Sequence, residues 1–183
     1  MKRIIYIACY FPPLGGVASI RAAKQARYLS EMGFQIDVLT VKPLWMKYPK
    51  DVSLLEGLPA GIRVWRTFLP DPNWLFKALY GLRLNSLVVW LRRNVFIPDP
   101  ELVWLPFARH RLNRMFRQRT YDLALITSGP PSSLLLGPYL KRLYGIPFVC
   151  EFRDEWVNNP ERTNLPQTAQ AGSREREMEA RVS

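Results

Sequence analysis

An α/β fold, a doubly wound parallel sheet with helices on both faces, is predicted by two features of this sequence. Short apolar runs recur at residues 3–9, 36–41, 123–127 and 147–152, each preceded by a turn signal. Runs without polar alternation fit strands buried on both faces, as a parallel sheet requires. Helical patterns closed by glycine stand between them, and strand, helix, strand units with short connections wind right-handed into one sheet. The expected strand order is about 3-2-1-4-5.

Taken in order, the first strand (3–9) runs into a loop holding Pro12, Pro13, Gly15 and Gly16. A helix over 17–32 then puts Val17, Ile20, Ala23, Leu29 and Met32 near one face, with Arg21, Lys24 and Arg27 elsewhere, and Gly33 stops it. The second strand is 36–41. A weaker strand at 62–67 follows the turn residues Gly57, Pro59 and Gly61. Residues 73–94, carrying Trp74, Leu75, Leu79, Leu82, Leu87, Val88, Trp90 and Leu91, read as one long helix, and 102–119 as a second, strongly basic one. After the strand at 123–127, residues 132–144 repeat the helical pattern with Leu135, Leu136, Tyr139, Leu140 and Leu143 apolar and Gly145 as the stop. The last strand ends at Phe152. Beyond Asn158 the chain turns polar, with Pro160 and Pro166, before a helix at 173–182.

With 183 residues, 48% hydrophobic and 13% aromatic, the chain is sized for one domain with a sizeable core and is not disordered for most of its length. Its two cysteines, Cys9 and Cys150, fall in predicted strands, which fits a reduced intracellular protein. The basic amino terminus has too short an apolar run before Pro12 to read as a signal peptide. No stretch of 18 apolar residues suggests a membrane span.

A formal charge of +11, from 26 Lys and Arg against 15 Asp and Glu, implies an anionic neighbour. The arginines sit on segments rich in Trp and Leu: Arg92 and Arg93, then Arg109, Arg111, Arg114, Arg117 and Arg119. That mixture favours a membrane surface over a nucleic-acid groove, and no nucleic-acid recognition motif accompanies it.

Ligands of open parallel sheets bind outside the carboxyl ends of the strands, so three loops are candidates. In the first, Gly15 and Gly16 either let backbone N–H groups approach a phosphate or sugar or serve a tight turn. The spacing is neither a dinucleotide fingerprint nor a P-loop. In the second, Ser128 and Gly129 lie near the strand end, while Ser132 and Ser133 read as helix caps. In the third, Arg153 and Asp154 form either a structural ion pair or a phosphate-holding cation beside an acceptor for a substrate hydroxyl. The single histidine, His110, reads as a surface or groove residue. No metal cluster can be assembled from it and two strand cysteines.

Together the stretches IIYIACYFPPLGGVASIRAAKQARYLSEMGFQIDVLTV, YDLALITSGPPSSLLLGPYLKRLYGIPFVCEFRDEW and REREMEARV resemble the amino-terminal half of a family 4 retaining glycosyltransferase of the GT-B type, in a subgroup serving bacterial exopolysaccharide and lipopolysaccharide assembly. The resemblance implies a Rossmann-like domain that receives the acceptor, an envelope glycan or lipid-linked molecule. A second domain would bind the nucleotide sugar, the donor substrate. It implies that Gly15 and Gly16 face the donor diphosphate, that Arg21 helps hold the acceptor, and that the loop with Ser128, Gly129 and Pro130 lines the cleft. Trp156 of the F-R-D-x-W loop would join the substrate site. Arg153 followed by Asp154 takes the place where many relatives have a histidine, which makes them the catalytic candidates. Neither metal nor further cofactor is implied. The same resemblance places the protein in the cytoplasm, peripheral at the inner face of the cell membrane. It also makes residues 1–183 an incomplete domain, lacking its last strand and the carboxyl-terminal domain, and inactive alone. The alternative is a non-enzymatic basic module that binds a membrane surface or a partner domain.

Overall fold

The computed structural model describes residues 2–44, 49–70, 73–159 and 165–183; Pro160 lies outside them. Five strands, β1 (Arg3–Ile7), β2 (Gln35–Val41), β3 (Arg63–Thr67), β4 (Leu123–Thr127) and β5 (Phe148–Glu151), form one sheet in the order β3-β2-β1-β4-β5. Every neighbouring pair is parallel; Ile4, for example, pairs with Ile36 on one side and Leu123 on the other. The predicted sheet is therefore the one observed.

Successive residues of β1 face opposite layers. Ile4 and Tyr6 pack with Phe11, Ala22 and Ala26, whereas Ile5 and Ile7 join Leu112, Met115 and Leu140. Helix α1 (Val17–Glu31) covers the first layer, and α5 (Leu105–Gln118), α6 (Leu136–Tyr144) and the end of α7 (Ala169–Ala180) contribute to the second. A one-turn helix, α2 (Ser53–Glu56), precedes β3.

Several boundaries differ from expectation. The buried face of α1 is Ser19, Ala22, Ala23 and Ala26, while Val17, Ile20 and Met32 are exposed. Small side chains at i, i+3, i+4 and i+7 let the helix lie close on the sheet, so they outrank the larger apolar set. The long helix over 73–94 is two, α3 (Asn73–Gly81) and α4 (Asn85–Asn94). Arg83 takes a positive φ of 59°, the Leu84 N–H bonds the Leu79 carbonyl and the Arg83 N–H bonds that of Tyr80, a helix stop that turns the chain back. The basic helix starts at Leu105 after a 3-10 turn over Pro100–Trp104, and a second 3-10 turn, Pro131–Leu135, precedes α6. Thr168 caps α7 by accepting the Ala171 N–H, and the helix starts at Ala169, four residues before the predicted one. β1 stops at Ile7, so Cys9 lies just past it; both cysteines are free thiols.

Candidate functional site

The loops that leave β1, β4 and β5 converge at Gly129. A Cβ placed on that glycine would lie 2.9 Å from Nη1 of Arg153 and 3.9 Å from Cβ of Ala18, so the third loop and the first turn of α1 both touch the second loop there. The Arg153 backbone N–H donates to the Ser128 hydroxyl at 2.8 Å, and the Ser128 N–H donates to the Glu151 carbonyl at 2.9 Å, which extends the β4–β5 pairing past the strand ends. Nε of Arg153 is buried and, among the described residues, has no hydrogen-bond partner. An unsatisfied guanidinium donor close to a helix amino terminus fits an anionic ligand.

Gly16 caps α1 with φ 89° and ψ 161°, a conformation that glycine adopts freely and other residues rarely do, and no side chain caps the helix. Gly15 has a different role from the one expected. Its N–H donates to the Pro49 carbonyl at 2.8 Å, and a Cβ there would stand 3.0 Å from that oxygen. The residue is glycine because segment 49–51 passes against it, and its amide is not open to a diphosphate.

Arg153 and Asp154 form no ion pair. The arginine lies over Gly129, whereas exposed Asp154 lines a hollow of about 330 Å³ with Arg92, Arg93, Asp99, Ser128 and Pro131. Asp99 shapes its floor, accepting from the Ser132 hydroxyl and backbone N–H at 2.7 Å each. Ser132 thus binds a neighbouring segment rather than capping its own helix. Pro130 is buried, and Pro131 takes its place in the hollow. Trp156 does not line the crevice either: its indole is 1% exposed within the core, and its N–H donates to Glu175 Oε1 of α7 at 3.2 Å.

Arg21 is bound to Glu151 at the end of β5, and Gln25 Nε2 reaches the same carboxylate oxygen at 2.8 Å while its own oxygen accepts from Tyr6. Burial pushes the Glu151 carboxyl up, but hydrogen bonds from Thr127, Gln25 and Arg21, with the charge of Arg21, outweigh it and hold the group below the usual glutamate range. Glu151 therefore stands as a carboxylate beneath the crevice. Sequence reading passed over it, although an acid closing an apolar strand is a signal in itself. Asp99 and the Tyr10–Glu101 hydrogen bond of 2.9 Å were also missed, since both depend on contacts 33 and 91 residues apart. Burial first, then the charges of Glu101 and Asp99, push the Cys9 thiol up, so it is a protonated, inert part of the wall. No group of residues suited to hold a metal ion occurs among the described residues.

No protein-family model matches the chain, and no curated protein matches it. Solved structures similar to it in fold include apo UGT2 of Phytolacca americana, at 20% identity over 83% of this chain and 29% of that one with a TM-score of 0.49. A Streptomyces glycosyltransferase, SsfS6, is similar at 17% identity over 100% of this chain and 46% of its own, TM-score 0.49. The carboxyl-terminal domain of a hydrogenase from Pyrococcus furiosus is similar at 16% identity over 82% and 90% of the two chains, TM-score 0.47. The chain spans less than half the length of the two glycosyltransferases.

Proposed function

We propose that this chain is the acceptor-side half of a retaining, family 4 type glycosyltransferase that moves a sugar from a nucleotide-sugar donor to an envelope glycan or lipid-linked acceptor at the inner face of a bacterial membrane. The observation that carries the reading is the meeting of three strand-end loops at Gly129, with the buried, unpartnered Nε of Arg153 beside the amino terminus of α1. In this role Arg153 and the α1 terminus stabilise charge that develops on the departing diphosphate. Asp154, at the mouth of the neighbouring hollow, accepts a hydrogen bond from the acceptor hydroxyl. Retention needs no protein nucleophile, and the chain supplies position and charge. Donor-binding residues come from a second Rossmann-like unit, so residues 1–183 alone transfer little or no sugar.

Titration with pyrophosphate, followed by amide NMR, tests the diphosphate role. The expected result is saturable shifts at Gly16, Ala18 and Arg153, weakened about tenfold in Arg153→Ala and partly restored in Arg153→Lys. An Arg153→Ala protein that responds like the parent overturns the assignment. Efficient transfer by the isolated chain, in an assay with a panel of nucleotide sugars, overturns the incomplete-site part of the reading.

A further inference from the structure

We propose that the α3–α4 hairpin is a docking surface for an anionic lipid bilayer, with the turn at Arg83 and the flanking aromatic residues entering the boundary between headgroups and acyl chains. Large apolar side chains left exposed among the described residues concentrate here: of twenty, seven lie between Trp74 and Val95. Trp74 is 71% exposed and Leu82 69%, with Tyr80, Leu84, Leu87 and Trp90 also open. The fold does not require this face. The inner side of the hairpin is already packed through buried Phe76 and Val88 and an edge-to-face contact of Phe76 with Phe96 at 5.4 Å.

An apolar outer face of this composition fits the bilayer interface, where tryptophan and tyrosine rings sit with one end apolar and the other wet. Charge points the same way. Residues 73–98 contain no acid, and Lys77, Arg83 and Arg92 are exposed cations on a chain of net charge +11. Arg83 stands at the apex in the left-handed region, where glycine or asparagine is usual, so the turn keeps a cation at its tip despite the conformational strain. A second copy of the same surface would bring like charges together, which disfavours self-association. No helix among the described residues is long and apolar enough to cross a membrane, so the contact is with one face of the bilayer.

The root of the hairpin borders the hollow, which Arg92 and Arg93 line beside Asp154. Seating the hairpin holds that hollow at headgroup level, and on the transferase reading above, the acceptor is then a lipid-linked one reached from the bilayer plane.

Co-sedimentation with vesicles of phosphatidylcholine alone and of phosphatidylcholine with phosphatidylglycerol tests the docking. Binding is expected only to the anionic vesicles, with quenching of tryptophan fluorescence by brominated acyl chains and loss at high salt. Arg83→Gly, which keeps the turn and removes the charge, should weaken binding about fivefold. The exposed pair Trp74→Ser and Trp90→Ser should weaken it further and abolish the quenching. Binding that survives all three substitutions, or no binding to anionic vesicles, overturns the proposal. A dimer in solution that the same substitutions dissociate also overturns it, by giving the face to a second copy. The hairpin variants should keep the pyrophosphate response and Arg153→Ala should keep the vesicle binding, so the two readings fail separately.

Discussion

At the scale of single residues, Gly129 and Glu151 set the crevice. Gly129→Ala would put a methyl group against Nη1 of Arg153, the far end of a flexible side chain, and Gly129 does not have a positive φ. Stability should therefore change by less than about 1 kcal/mol while Arg153 is displaced, and the pyrophosphate response should fall nearly as far as in Arg153→Ala. A stable variant with an unchanged response would show that the guanidinium position is immaterial. Glu151 makes a pH prediction. Its carboxyl is held below the ordinary glutamate value in the fold, so its contribution is fully present above about pH 4.3 and is lost as pH falls through the lower folded-state value. Urea midpoints measured from neutral pH downward should fall less steeply in acid for Glu151→Gln than for the parent. Parallel acid limbs would show that the Arg21, Gln25 and Thr127 contacts do not bias its proton.

Among the elements, α6 and β5 meet closely at Gly137. A Cβ on Gly137 would fall 2.5 Å from Cδ2 and 2.8 Å from Cε2 of Phe148, a ring fixed in a strand. Gly137→Ala should therefore destabilise by about 1–3 kcal/mol despite its better helix propensity, read as a lower denaturant midpoint. An unchanged midpoint would show that helix and strand can part. The strands were legible because a parallel sheet buried on both faces favours near-continuous apolar runs, and 123–127 and, apart from Asp37 and Thr40, 36–41 supply them. The crevice residues Ser128, Gly129 and Arg153 followed from looking just past those runs. The break between α3 and α4 was not legible, since an arginine in the left-handed region has no sequence signature. Trp156 was expected in the substrate site because it lies just past a strand end, and only the distant α7 shows that it is core. The basic helix α5 misled in part as well. Arg109 lies over the Tyr139 ring and Arg111 over that of Trp65, so some of its charge serves packing.

For the whole molecule, a buried polar junction links the loop after β5 to the α3–α4 hairpin. Glu175 of α7 accepts the Trp156 indole N–H with one oxygen; the other accepts from Gln167 Nε2 at 2.9 Å and lies 3.8 Å from Nη1 of Arg93 at the end of α4. Gln167 also binds the Arg93 carbonyl at 3.0 Å, and the Thr168 N–H binds the Asn94 side chain at 2.9 Å. Arg93 and Glu175 are both buried, so removing the carboxylate takes one counter-charge, 3.8 Å away, from a cation in a low-dielectric site and leaves the Trp156 indole N–H without its acceptor. Glu175→Met should destabilise by about 1–3 kcal/mol, and Arg93→Met with Glu175→Met should cost clearly less than the sum of the two single changes. Equilibrium unfolding followed by tryptophan fluorescence gives the four stabilities of the cycle. Additive single effects would mean that α4 and the β5 loop are held independently. A coupling of about 1 kcal/mol or more would mean that one junction helps to fix both α4 and the loop after β5, whose Arg93 and Asp154 line the same hollow.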